Sequence, residues 1–251
     1  MGIKREELEK YLNQLLKVDE FDDLGPNGLQ VEGRPQIEKI ITGVSGCVEL
    51  FEKAIQENAD AIIVHHGIIW EFENPVFKGS YKKRVKLLLE NNINLFGFHL
   101  PLDAHDEFGN NAVLADILGL EDRQPFGSFN GTKVGVKGQI GQSSDHVFET
   151  IKKEINSDAV IFPSGPEKIE QAGIISGGAE KSIKEAVAEG LDLFLTGEVS
   201  EHIMHYAKEE GIHFVAAGHH ATECYGAQAL GQHLADKFDL DVEFINIPNP
   251  A

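Results

Sequence analysis

A chain of 251 residues, 41% hydrophobic and 25% charged, holds enough apolar material for one large globular unit or two modest ones. Lys and Arg number 22 against 41 Asp and Glu, a formal net charge of −19. That field repels phosphate backbones and argues against broad electrostatic binding of nucleic acid. Cys47 and Cys224 make no disulfide framework, the charged opening Met1–Glu7 carries no apolar signal region, and no apolar run reaches membrane-spanning length. A soluble cytoplasmic protein is expected.

In chain order, residues 4–17 place Leu8, Leu12, Leu15 and Leu16 at helical spacing. Pro26-Asn27-Gly28 is a turn before a short strand over 29–31. Strand 37–44, helix 48–58 and strand 61–65 follow, then a loop carrying Trp70, Pro75 and Phe77. Helix 81–91, whose Lys82, Lys83, Arg84 and Lys86 read as a solvated face, leads to strand 93–98. Pro101 is expected to keep His99–Asp103 out of helix. Helix 110–118 ends on Gly119. The stretch 121–131, rich in Gly, Pro, Ser and Asn, is the expected domain boundary. Beyond it come strand 134–140, helix 145–155, strand 159–162, strand 172–176, helix 180–189, strand 191–196, helix 199–210, strand 212–217, a helix over about 222–237, and strand 242–245.

Side by side, the halves share one order: helix, strand, then three strand–helix units. Residues 58–64 sit over 190–195, and 92–96 over 211–215. The period is too long for a solenoid, so the pattern reads as an internal duplication. The expected fold is α/β, two intertwined mixed-sheet halves with helices on the faces. The expected repeats are 1–125 and 126–251, the C-terminal strand being free to pack on the first half.

Chemistry-bearing residues gather where the predicted strands end, the usual ligand-binding edge of an open α/β sheet. Ile62-Ile63-Val64 runs into His65-His66-Gly67. The next strand leads to His99 and Asp103, and its counterpart in the second half to His219 and Glu223. The strand equivalent to 61–65 ends at Gly197-Glu198. A pseudo-twofold relation between the halves is expected to bring these loops to one cleft, with His219 in an approach turn and Thr222 beginning the helix.

His65, His66, Asp103, His219 and Glu223 are three imidazoles and two carboxylates. They suffice for two ions if a carboxylate bridges and water completes the shells. Mixed nitrogen and oxygen donors without thiolates suit zinc, iron, manganese or nickel. Two ions about 3.5–4 Å apart clamp a shared water and polarise a substrate. Lowering water's pKa from about 15.7 to about 7 is worth about 12 kcal/mol, against about 3–5 kcal/mol from a general base. The chain has no Gly-x-Ser-x-Gly elbow, Walker A loop or Gly-x-Gly-x-x-Gly fingerprint to supply another chemistry. Each donor also has a structural alternative: Asp103 as a cap or turn residue, Glu223 as a helix N-terminal acid. His105, His146, His202, His205, His213 and His233 read as ordinary structural histidines, and Cys224 as core. Gly177-Gly178 is either a turn or an exposed pair of amides for a phosphate.

The segments 26–33 (PNGLQVEG), 64–67 (VHHG), 99–105 (HLPLDAH), 109–112 (GNNA), 196–201 (TGEVSE) and 218–223 (GHHATE), with the ending IPNP, resemble the GTP cyclohydrolase 1 type 2 homologues. These are also called Nif-three-like dinuclear metal-centre proteins, and the likeness is to their short bacterial form. The resemblance implies a duplicated α/β fold, two divalent ions per chain, and a toroidal homohexamer whose sites face an internal cavity. His65, His66, Asp103, His219 and Glu223 match the family's metal ligands. His99, Glu198 and His220 are added here as candidates for supporting the ligands or moving a proton.

Three functions follow as expectations. The first is a metal-dependent hydrolase that opens the imidazole ring of a purine nucleotide with metal-activated water, as the resemblance to GTP cyclohydrolases implies. The second keeps the two ions but hydrolyses a phosphoester or amide. The third is a non-enzymatic metal-binding ring that binds a partner. Self-association and a small-molecule substrate are the expected partnerships; membrane is not.

Overall fold

Three consecutive parallel strands, each followed by helix, occur twice in the chain. The computed structural model describes residues 2–251. One unit runs through Leu102 and takes back Gly226–Ile247; the other holds Asp103–Tyr225 with Pro248–Ala251.

In the first unit β1 (Ile3–Lys4) pairs antiparallel with β3 (Gln36–Ile37), beside α1 (Arg5–Leu15). Its main sheet contains β2 (Gly28–Val31), β4 (Lys39–Ser45), β5 (Ala61–His66), β6 (Asn94–Gly97) and β13 (Asp241–Phe244), in the order β13-β4-β5-β6-β2. All neighbours are parallel except β2, which runs against β6. Helices α2 (Val48–Gln56) and α3 (Gly79–Asn91) are the crossovers. Both faces of the sheet are covered, so its strands read as nearly continuous apolar runs. Ile40, Ile63 and Phe96 face Leu8 and Leu12 of α1 and Leu230 and Leu234 further on. Ile41, Ile62, Val64 and Leu95 face Leu50, Phe51 and Ala54 of α2 and Leu88 of α3. The alternation is the two-residue period of a strand.

In the second unit β7 (Glu121–Phe129), β8 (Thr132–Ser143), β9 (Val160–Phe162), β10 (Lys168–Ile174), β11 (Leu193–Thr196) and β12 (His213–Ala216) are ordered β7-β8-β10-β11-β12-β9. Strands β10, β11 and β12 are parallel and β9 runs against β12, as β2 does against β6. Helices α4 (Leu100–Ala104), α5 (Asn110–Leu118), α6 (Ser144–Thr150), α7 (Ile183–Ala188), α8 (Ile203–Glu210) and α9 (His219–Phe238) complete the mixed α/β chain. Ile174, Leu195 and Val215 pack on Leu114 and Leu118 of α5 and Val147 of α6. Among the described residues no helix is long and apolar enough to cross a membrane.

The internal duplication is therefore a property of the topology. Asp60 and Asp192 mark its register. The Asp60 carboxylate accepts from the N–H groups of Glu38 and Lys39, and the Asp192 carboxylate from those of Glu170 and Gln171. Each aspartate precedes the middle strand of its parallel trio and ties it to the strand before.

Several local expectations change. The two compact units divide at Leu102 rather than near residue 125, because α5 packs into the second unit's core, while β13 pairs with β4 in the first unit, where the C-terminal strand was free to pack. The stretch 121–131 is not a linker: it is β7 and the tip of a hairpin with β8. Asn130 and Gly131 both have positive φ, 46° and 86°, which suits a tight hairpin turn. Pro125 is tolerated because β7 is an edge strand. Pro101 does not prevent helix; it sits in the first turn of α4, where its missing N–H would have no helical partner. Helix α9 begins at His219 rather than Thr222, so His219 and Glu223 stand one turn apart on the same face.

Candidate metal centre

The first unit gathers three imidazoles at the C-terminal edge of its sheet. His65 and His66 end β5, and His99 follows β6. Adjacent strand residues ordinarily point apart, yet the His65 and His66 ring centroids are 4.6 Å from one another. The His99 centroid is 5.1 Å from that of His65 and 5.6 Å from that of His66. A ring nitrogen from each lies within 4.8 Å of the other two.

Each ring is held by its Nδ1. That of His65 is 3.1 Å from the Phe98 carbonyl oxygen, which makes Nδ1 the protonated nitrogen and Nε2 the lone-pair nitrogen. His66 Nδ1 is 3.2 Å from Ser45 Oγ, across the β4–β5 pairing. His99 Nδ1 is 2.7 Å from Asp23 Oδ1. The Asp23 side chain is 2% exposed and also accepts from the N–H groups of Leu24 and Leu100 and the Asn27 amide. Burial by itself raises the Asp23 carboxyl; the bond and charge of His99, with the Asn27 and Leu100 donors, outweigh it and leave the group below its ordinary value. Asn27 Oδ1 in turn accepts from the His99 N–H. Gln30 Oε1 accepts from Ile68 N–H just beyond the histidine pair. The segment 26–30 therefore braces both histidine loops.

The second unit gathers carboxylates and one imidazole. Asp103, on α4, is 7% exposed, and its Oδ1 accepts from Asn110 Nδ2 at 2.8 Å and Ser176 Oγ at 2.9 Å. Asn111 joins the same brace, donating to the Asp103 carbonyl and accepting from Ser176 N–H. Glu223, one turn into α9, is 2% exposed. One oxygen of Asp103 lies within 4.8 Å of one of Glu223. His219 Nε2 is 3.2 Å from Glu223 Oε2, and its Nδ1 is 2.5 Å from Glu198 Oε1. The Glu223 carboxylate pushes the His219 imidazole up to about 9, with burial opposing and Glu198 assisting.

The Gly177-Gly178 pair now has a physical account. Gly177 has φ +65°, its N–H donates to Thr222 Oγ1, and a Cβ there would lie 2.3 Å from Glu223 Oε1. The glycine lets the backbone pass against the buried glutamate, so a close approach explains it. His220, also buried, belongs to none of the donor groups found among the described residues. Cys224 Sγ donates to the His220 carbonyl, and burial pushes its thiol up to about 11, as suits a packing residue rather than a reactive one.

Sequence reasoning did not find Asp23, Ser45, Asn110 or Ser176. Asp23 is 76 residues from His99, and its type and spacing give no periodic signal. The Pro26-Asn27-Gly28 turn beside it is the nearest clue, because Asn27 and Asp23 act together.

The family model for Duf34/NIF3 (NGG1p interacting factor 3) matches residues 3–250. The chain belongs to that family. It is 48% identical to a Haemophilus influenzae protein named "GTP cyclohydrolase 1 type 2 homolog", over 98% of each chain. A protein of the same name from Escherichia coli K12 is 42% identical over 99% of this chain and all of that one. A solved structure described as protein ybgI, of unknown function, superimposes with a TM-score of 0.92 at 43% identity, covering 99% of this chain and all of that one. Within this Duf34/NIF3 chain the conspicuous motifs are the ones that carry or brace the donors: VHHG the histidine pair, HLPLD both His99 and Asp103, GNNA the asparagines on Asp103, GHHATE both His219 and Glu223.

The donors suit a divalent cation. Neutral imidazoles with Nδ1 bound to an acceptor are the usual state of metal-binding histidines. Two buried carboxylates within 4.8 Å repel one another unless a cation or a proton intervenes. Their nitrogen and oxygen chemistry matches zinc, iron, manganese and nickel.

Proposed function

We propose that the chain is a divalent-metal-dependent hydrolase with a dinuclear centre, its ligands being His65, His66, Asp103, His219 and Glu223. The observation that carries this reading is the common arrangement of the imidazoles in the first unit: each Nδ1 is held by a neighbouring oxygen, a carbonyl at His65, a hydroxyl at His66 and a carboxylate at His99. Such bracing fixes tautomer and ring orientation before an ion arrives. When bound, the ions supply a water acidic enough to deprotonate near neutral pH and a Lewis acid for the substrate.

The substrate class we favour is a purine nucleotide whose imidazole ring is opened, in line with the names carried by the 42–48% identical relatives. His99, Glu198 and His220 are the side chains proposed to support ligands or move protons. Glu198, half exposed and bonded to His219, is suited to passing a proton to solvent. Self-association into a ring of six is part of the proposal, supported by the exposed apolar side chains of Phe72 and Phe77 after β5, 71% and 61% exposed.

The test is metal analysis of protein purified without chelator. About two equivalents per chain are expected, falling to one or fewer in His65→Ala. Wild-type protein that takes up no divalent ion ends the proposal. GTP turnover is then assayed with each reconstituted metal, with phosphoester and amide panels alongside. Activity with those and none with GTP would move the reading to a different hydrolase.

A further inference from the structure

Resting on that metal-dependent reading, we propose that Ser176 and Asn110 are positioning residues that make Asp103 a one-oxygen ligand, Oδ2 being the oxygen given to the ion. A carboxylate offers about four lone-pair sites, two on each oxygen. Two donors converge on Oδ1 of Asp103, the Asn110 amide at 2.8 Å and the Ser176 hydroxyl at 2.9 Å. Between them they fill that oxygen. An ion chelated by both oxygens would have to break one of these bonds, whereas an ion on Oδ2 breaks neither. Both donors are neutral, so the carboxylate keeps its full charge for a cation.

The two donors are themselves fixed. Asn110 is fully buried and Ser176 is 6% exposed, so water is a poor substitute for either bond. Asn111 accepts from Ser176 N–H at 2.7 Å and divides its amide between the carbonyls of Asp103 and Val134. Asp103 of α4 is thereby tied to α5, to β8 and to the turn after β10. That turn is shaped to carboxylates. Ser176 holds Asp103, Gly177 makes room for Glu223, and a Cβ on Gly178 would lie 3.2 Å from Glu198 Cδ. A cap or turn role accounts for an aspartate bonded within its own helix. It does not account for donors from α5 and from a distant turn meeting on one oxygen.

Zinc titration of chelator-stripped full-length protein, labelled with carbon-13 in its aspartate carboxylates, tests this. It is read by equilibrium dialysis and by infrared difference spectra, zinc-loaded minus zinc-free. A carboxylate that ligates through one oxygen splits its asymmetric and symmetric stretches widely; a chelating one splits them narrowly. The unsubstituted chain is expected to show a widely split aspartate pair, and Asp103→Asn to erase it. A narrow pair, or a wide one that survives Asp103→Asn, overturns the proposal without reference to any other variant. Ser176→Ala and Asn110→Ala each reopen Oδ1 and are expected to narrow the pair and weaken one ion by about 10–100-fold. Ser176→Thr, which keeps the hydroxyl, should hold the wide pair and an affinity within about threefold. Ser176→Ala with unchanged splitting and affinity overturns the proposal equally. Dialysis separates this from the dinuclear reading. One ion in wild type with a wide pair that Ser176→Ala narrows sinks the dinuclear centre and keeps the role of Ser176. Two ions with a narrow pair do the reverse, and a chain that takes up no zinc ends both.

Discussion

His219 stands between Glu223 and Glu198, and that placement sets a pH dependence. Its folded value of about 9 exceeds the ordinary 6.5, chiefly through Glu223. A raised pKa means that the folded state holds the proton more tightly than the unfolded chain. The stabilisation is complete below about 6.5 and fades as pH rises through about 9. Metal-free protein should therefore lose melting temperature across that window, and Glu223→Gln should shift the loss to lower pH. Metal uptake has the opposite sign, since an ion that takes His219 Nε2 must expel the proton. Apparent affinity should rise by about tenfold per pH unit below 9 where one proton is released. Competition titrations with a chelator at pH 6, 7 and 8 read the slope; a flat profile removes His219 from the ligand set. At this scale the sequence was most legible where chemistry sits on a strand end. His65 and His66 follow an apolar run that has no other reason to stop in two imidazoles. Asp23 was illegible, because one of two adjacent aspartates before a turn looks the same whether it braces a histidine or faces water.

The elements repeat more faithfully than the residues do. Asp60 and Asp192 occupy equivalent places, and each caps two N–H groups at the start of a parallel strand pair. Alanine at either position leaves those donors without their carboxylate, a loss of about 1–3 kcal/mol in denaturant unfolding. Asp60→Ala should be the larger, because Asp60 also holds Arg34 at 2.8 Å. An effect at one position with none at the other would show that the duplication is one of topology alone. Element order and the strand alignment of the two halves were readable from hydrophobic period, since buried parallel strands are short apolar runs between turn residues. Composition misled between 121 and 131. Gly, Pro, Ser and Asn are what a linker contains, but they are also what an edge strand with a tight turn contains, and only the pairing with β8 distinguishes them. The start of α9 was missed for a similar reason: Gly218, with φ +91°, ends the approach one residue before His219, and Thr222 spends its hydroxyl on Gly177 inside the helix rather than capping it.

For the whole molecule, charge and apolar exposure pull against each other. A net charge of −19 makes copies of the chain repel, while Phe72 and Phe77, on a loop of exposed residues after β5, present apolar surface that water does not favour. At about 0.1 M salt the screening length is about 10 Å, so repulsion between whole subunits falls steeply as salt rises while apolar burial does not. The proposed ring should therefore be favoured by salt. Light scattering on a sizing column should show mass rising from 20 mM to 300 mM sodium chloride at fixed protein concentration. Phe72→Ser with Phe77→Ser should lower the mass at high salt. Bound divalent ions act in the same direction, since each adds two positive charges to an acidic chain, and removal by chelator should shift the equilibrium toward smaller species most strongly at low salt. The opposite response, dissociation by salt with no effect of the two serines, would mean that ion pairs rather than apolar contacts hold the copies together, and that the loop after β5 has no part in it.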